Sequence, residues 1–379
     1  MHVTALEKAI NYIYYLYKTV MTNNNTPYPD FALILSWPDA TIRGDEKWMM
    51  FFKKIGIVKN LNFKVGHTGV VIISSKTGDL FYYDFGRYIS PRGYGRTRSK
   101  ESDPLLSISI KATFNNGEIS NLEAIVAHFE DMKPAMQGSG ELFFSIVKGL
   151  NFDHAKAFAD KWVQKGSYPY GAVAKGNNNC SRFITRLLFA SSRQFCWSHP
   201  INFPETIKAS PISNIVNSAE NKMIYRYSPE YGLQNFRMSR VQSLLFLIKK
   251  LSENVYSKQA ALLPEDISIG SMLSKHKPLH IPESSQYLGG VGEGAWFDLS
   301  LLRNNQLLIQ RFTIIGTFEY AIIGEIEERI TCLQDLKITY DSHLQMTHVL
   351  YKQRKIKINH LHHISTQELQ SLLAEVMTA

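Results

Sequence analysis

Two β-rich runs, VGHTGVVIIS and GDLFYYDFGRY, are separated by little more than the turn sequence SKTGD. β-Branched and aromatic residues fill both arms and Gly and Asp supply the turn, so the spacing predicts an antiparallel hairpin. With the turn centred near Lys76–Thr77, position 67 lies opposite position 86, and Asp84 falls one diagonal step from His67. The run PLLSISIKATF (Pro104–Phe114) is expected to extend the hairpin. DFALILSW (Asp30–Trp37), ended by Pro38, has the pattern of a buried strand.

DEKWMMFFKKIGI, NLEAIVAHFEDM and NFDHAKAFADKWVQKG carry helical spacing, the last with an Asn or Asp cap and a closing Gly166. From Phe195 to Tyr256 the pattern is mixed and then helical. The stretch LLPEDISIGSMLSKHKPLHIPESSQYLGGVGEGAW is rich in Pro, Gly and Ser and marks a domain boundary. Beyond it, AWFDLSLL, QLLIQRFTIIG, FEYAIIGEIEE and LKITYDSHLQMTHVLYKQRKIKINHL are expected as successive strands, ended by a helix opened by Ser365 or Thr366.

The segment GSYPYGAVAKGNNNCSRFITRLLFA (Gly166–Ala190) puts Cys180 behind a Gly- and Asn-rich loop, on the first turn of a helix. A helix N-terminus offers free N–H groups and partial positive charge, which favour thiolate over thiol. A reactive cysteine needs a base, and an imidazole titrates in the right range. Among 12 histidines, His67 stands out because Gly66, Thr68 and Gly69 leave room around its ring. Asp84, on the adjacent arm of the hairpin, is the natural group to orient it. The plainer alternatives are a small core cysteine, a strand-end histidine and a turn carboxylate.

Three cysteines, Cys180, Cys196 and Cys332, form no repeated spacing, which argues against a disulfide framework and against a cysteine-only zinc site. HLHH at His360–His363 lacks companion ligands, so no metal and no cofactor are expected. The net charge of +9 is spread along the chain apart from one dense patch, GRYISPRGYGRTRSK, and no nucleic-acid-binding signature accompanies it. Arg87, Arg92, Arg96 and Arg98 in that patch are expected to engage a carboxylate or phosphate on a substrate, the alternative being a solvated basic loop. The N-terminal MHVTALEKAINYIYYLYKTVM is broken by charges and followed by no cleavage-site pattern. No stretch reaches the roughly 20 apolar residues of a membrane span. A soluble, cytoplasmic protein is the expectation, with its oligomeric state open.

These pieces together resemble the papain-like cysteine hydrolases in their circularly permuted, NlpC-type form. YPYGAVAKGNNNCSRFI is similar to the family's loop and helix, with Tyr168 matching its tyrosine and Cys180 its nucleophile. GHTGVVI and LFYYDFG resemble the base-bearing strands, but precede the cysteine, as in permuted members such as the lecithin:retinol acyltransferase-like group. The stretch from WPDATIRGDEKWMM to GYGRTRSK also resembles an uncharacterised bacterial family within this fold. Arg182 stands where cell-wall peptidases usually carry glycine, and Gly171-Ala172 where their loop has a glycine pair.

The resemblance implies an α+β fold. A permuted papain-like catalytic domain of antiparallel sheet and helices spans 28–195, preceded by an amphipathic helix and linker over 1–27. A helical extension (196–258), a linker (259–290) and a small β-rich C-terminal domain (291–379) follow. It also implies a cysteine amidase or peptidase with the triad Cys180, His67 and Asp84, acting through a thioester on a small, anionic peptide or amide. Tyr168, Asn179, Arg92 and Arg96 would meet the substrate, with an oxyanion donor from the Asn177–Asn179 loop. The alternatives are an acyltransferase or lipid hydrolase, or a non-catalytic binding protein on the same fold.

Overall fold

The computed structural model describes residues 28–43, 47–171, 176–192, 210–253, 255–263, 276–302, 305–328, 330 and 332–378. The expected helix over 1–27 and Cys196 lie outside these residues. The described residues build two large antiparallel sheets and two small two-stranded ones, which with the helices give a mixed α/β architecture.

The strands of the first half are β1 (Asp30–Trp37), β2 (Thr41–Arg43), β3 (Asn62–Lys64), β4 (His67–Ile73), β5 (Leu80–Gly86), β6 (Tyr94–Arg98), β7 (Phe114–Asn115), β8 (Glu118–Ile119), β9 (Leu142–Leu150), β10 (Tyr168–Pro169), β11 (Met223–Ser228) and β12 (Gly232–Arg237). Eight of them form one sheet in the order β10-β6-β5-β4-β1-β9-β11-β12, and β2-β3 and β7-β8 are the two small ones. β1 is buried along its whole length, because both of its neighbours and both of its faces are covered. One face packs against the helices Phe152–Lys165, Cys180–Ser191 and Pro211–Ser218 through Ile34, Val70, Ile72, Phe85, Phe183 and Ile184. The other packs against the helix Leu122–Asp131 through Leu33, Leu35, Val71, Ile125 and Phe129.

The hairpin forms in the expected register, with Gly69 opposite Asp84. Its third strand is β6, within the arginine patch, and not Pro104–Phe114, which forms a short 3-10 turn at Pro104–Leu106 and then runs irregularly. Charged residues do not mark a strand by periodicity, and Arg96 and Arg98 are accommodated only because carboxylates from elsewhere meet them. β9 is a central strand beside β1, and its apolar run LFFSIV carries the strand signal. The region expected as a helical extension also contributes β11 and β12, which prolong the first sheet beyond β9.

The second half continues with β13 (Gln286–Gly289), β14 (Gly294–Leu301), β15 (Gln306–Thr313), β16 (Phe318–Glu325), β17 (Lys337–Ile338), β18 (Thr347–Tyr351) and β19 (Arg354–Ile364). They pair in the order β13-β14-β15-β16-β19-β18-β17 around a core that includes Phe297, Leu307, Ile309, Val349 and Ile358. The helix Thr366–Thr378 closes the chain, and Ser365 caps it by accepting from the Glu368 amide while Glu368 accepts from the Ser365 amide. No helix among the described residues is long and apolar enough to cross a membrane.

Candidate active site

Cys180 is the first residue of its helix because Asn179 caps it: the Asn179 backbone is extended, and its Oδ1 accepts from the Arg182 amide at 2.8 Å. The preceding loop is held down rather than left open. Arg182 and Arg186 both donate to the Asn177 carbonyl, and the Asn177 side chain donates to the Tyr170 carbonyl. This gives Arg182 a local purpose where the resembling peptidases have glycine: it clamps the turn that delivers the cysteine.

His67 opens β4 at the end of the sheet where the cysteine helix begins. Its Nε2 lies 3.0 Å from Asp84 Oδ2, and the Cys180 side chain is near enough to act on the charge of the ring. Since Asp84 occupies Nε2, Nδ1 is the nitrogen left to exchange a proton. Cys180 is 9% exposed and His67 8%, and both line one cleft of about 430 Å3.

Asp84 is fully buried and unusually well served. It accepts from Tyr82 at 2.9 Å, from Tyr88, and from Arg98 at 2.8 and 3.2 Å. Two glycines make this possible. A Cβ on Gly69 would lie 2.5 Å from the Tyr82 ring, and one on Gly86 would lie 2.6 Å from the Tyr88 ring. The glycines thus open the space in which both phenols turn onto the carboxylate. Arg98 also stacks 3.6 Å above the centre of the Tyr88 ring.

The electrostatics follow from this shell. Burial pushes the Asp84 carboxyl up, but the Arg98 charge and the His67 and Arg98 hydrogen bonds outweigh it and hold it well below the usual carboxylate range. Burial pushes the His67 imidazolium down, but its bonds to Asp84 and Cys180, and the charges of those groups, bring it up to about 9. The arrangement therefore favours a protonated His67 at neutral pH, between an ionised carboxylate and a sulfur.

The sequence-expected site residues divide in two. Cys180, His67 and Asp84 are brought together. Of the expected substrate contacts Arg87 lines the cleft, and Tyr168, Asn179, Arg92 and Arg96 do not. Tyr168 packs against Trp162 and donates to the Gly176 carbonyl. The Asn179 side chain caps the helix through Oδ1, and its Nδ2 lies 3.4 Å from the Gly171 carbonyl. Arg92 is exposed beside Met50. Arg96 is 1% exposed and paired with both oxygens of Asp103 at 2.7 and 2.8 Å, which makes it a structural cation. The cleft is instead lined by Arg87, Tyr170, Asn62 and Gln137, together with Val291 and Gly292 from the second half of the chain. Arg87, one of the four arginines expected from the sequence to meet an anionic group, lies 4.7 Å from the Tyr170 ring centre.

Among the described residues no group of three or more His, Cys, Asp or Glu is placed to hold a metal ion. His360 of the HLHH run bonds Thr347 and the Leu344 carbonyl.

No curated protein matches the chain. Among solved structures, the crystal structure of the type VI secretion system effector TseH aligns at 18% identity and a TM-score of 0.39, covering 56% of this chain and 98% of the other. Residues 285–361 match the model of the DUF6695 C-terminal domain. Residues 32–196, the span that carries Cys180, His67 and Asp84, match the family model described as type VI secretion system effector TseH-like.

Proposed function

We propose that this chain is a cysteine hydrolase of the permuted papain-like kind, cleaving an amide bond through a thioester, and that it serves as a type VI effector. The observation that carries the reading is the His67 ring bonded to buried Asp84 in the cleft it shares with Cys180, with the cysteine on a capped helix N-terminus. The family match over residues 32–196 supports the effector setting.

In this mechanism the Cys180 sulfur attacks the substrate carbonyl carbon. The oxyanion is met by the Cys180 amide at the helix N-terminus. The His67 imidazolium protonates the departing amine as the C–N bond breaks, leaving an acyl group on sulfur. His67, now neutral, takes a proton from water, which attacks the thioester, releases the acid and restores the thiolate–imidazolium pair. Asp84 keeps the ring oriented throughout and stabilises its charged form.

Of the four arginines of the basic patch, Arg87 is the one that lines the cleft with Cys180 and His67, and we assign it to an anionic substrate group. Arg87→Ala is expected to raise KM about 10-fold for a substrate bearing a carboxylate, the worth of one charge-assisted hydrogen bond. The same substrate with that carboxylate amidated should show no such change. Equal KM shifts for both would remove the assignment.

The test of the whole reading uses the purified full chain, incubated with peptide and muropeptide amides and analysed by mass spectrometry. An acyl adduct on Cys180, with products absent for Cys180→Ala, is the expected result. In parallel, the chain is produced in a bacterial cytoplasm and, with an added leader, in the periplasm. Growth arrest dependent on Cys180 in either compartment identifies where the substrate lies. No adduct and no Cys180-dependent toxicity in either compartment would sink the proposal.

A further inference from the structure

We infer that the C-terminal domain is part of the catalytic cleft: its turn over residues 289–294, seated on the backbone of Arg87–Ile89, forms a wall that limits the size of group reaching Cys180. The inference rests on the reading of Cys180 as the reactive group of the cleft.

The turn GGVGEG joins β13 to β14, the first two strands of the second sheet. It is fitted to the first half by backbone contact. The Gly292 amide donates to the Arg87 carbonyl at 2.5 Å, and Gln137 Nε2 donates to the Gly292 carbonyl at 3.1 Å. A Cβ on Gly290 would fall 1.9 Å from the Tyr88 carbonyl oxygen, and one on Gly292 would fall 2.6 Å from the Arg87 carbonyl oxygen. Only residues without side chains let the turn lie this close, so the glycines specify the docking.

The segment beneath the turn is the active site's own. Tyr88 donates to Asp84, and the next residue, Ile89, is fully buried in the hydrophobic core of the second sheet. The two halves are tied again next to this point. Arg311 on β15 donates to Asp103, which also holds Arg96 on β6, and to Glu293 of the turn itself. The turn is thus fixed at its seat, at Glu293 and through Ile89. Its Val291 and Gly292 line the same cleft as Cys180 and His67, and Val291 is 1% exposed. A cleft of about 430 Å3 is sized for a compact ligand. A compact acyl group, and not an open stretch of polypeptide, is the substrate class this wall selects.

The experiment measures access to the Cys180 sulfur with two alkylating agents of the same chemistry, iodoacetamide and an iodoacetamide carrying fluorescein. Rates are read by peptide mapping in the full chain, with exposed Cys332 as the internal control. Val291→Ala should raise the ratio of bulky to small rate at Cys180 about 10-fold, the usual effect of a missing methyl-sized group in a pocket. Val291→Trp should lower that ratio, and Cys332 should respond to neither change. Should Val291→Trp fail to unfold cooperatively, Gln137→Ala, which unties the turn from the first half, takes its place beside Val291→Ala. A ratio unchanged within about two-fold in both variants overturns the wall. The ratio reports access alone, so it decides this inference even if Cys180 shows no dependence on His67, an outcome that would count against the hydrolase reading instead.

Discussion

Cys180→Ala should reduce turnover to background, and His67→Ala, which keeps the sulfur, should lower kcat/KM by about 10²–10⁴, the usual worth of a positioned general acid–base. The two variants separate nucleophile from base. His67→Ala is also expected to slow alkylation of Cys180 near neutral pH while leaving Cys332 unaffected, because the imidazolium that stabilises a thiolate is gone. Cys180 sits at a helix start in contact with buried Ser181, and truncating it removes only a sulfur, so loss of fold is not expected to account for the result. Retained turnover in Cys180→Ala, or identical alkylation of Cys180 with and without His67, would remove the catalytic reading.

The second large effect concerns charge and stability. His67 binds its proton more tightly in the folded chain than its ordinary value of 6.5 allows, reaching about 9. Its contribution is therefore fully present below about pH 6.5 and is lost as pH rises through about 9, a window worth on the order of 3 kcal/mol. Asp84 is shifted the other way. Its contribution is present above its ordinary value of 3.8 and is lost only as pH falls through its much lower folded value. The wild-type denaturation midpoint should accordingly decline between pH 6.5 and 9.

Asp84→Asn should flatten that decline, since burial then pushes the His67 proton off without a carboxylate to oppose it. The same substitution leaves the Arg98 guanidinium buried without its counter-charge, and breaking such a pair costs about 3–5 kcal/mol. The checks are denaturant midpoints across pH and an NMR titration of His67. An unchanged pH slope together with a stability loss below about 1 kcal/mol would show that Asp84 does not govern the His67 proton.

What the sequence makes legible here is local. The hairpin register follows from a short turn and two alternating arms, so the diagonal approach of His67 to Asp84 can be derived from spacing. Cys180 is recognisable from the Gly/Asn loop before it and its place on the first turn of a helix, whereas the capping role of Asn179 is seen only in the fold. Arg96 and Arg98 are not legible in this way. Both look like surface cations, and one is claimed by Asp103 and the other by Asp84 only once β6 is laid beside β5. The two phenols on Asp84 are similarly hidden, because the clearances at Gly69 and Gly86 that admit them exist only in the folded sheet.

By itself, then, the sequence determined the hairpin, the start of the cysteine helix and the β-rich C-terminal half, since each rests on the pattern of a single segment and its immediate neighbours. Tertiary structure alone decided which cation faces the cleft, why the others are buried, and that Val291 and Gly292 stand beside Cys180. The physical reason is that burial and charge pairing are set by partners distant along the chain, and no local pattern carries the identity of a partner.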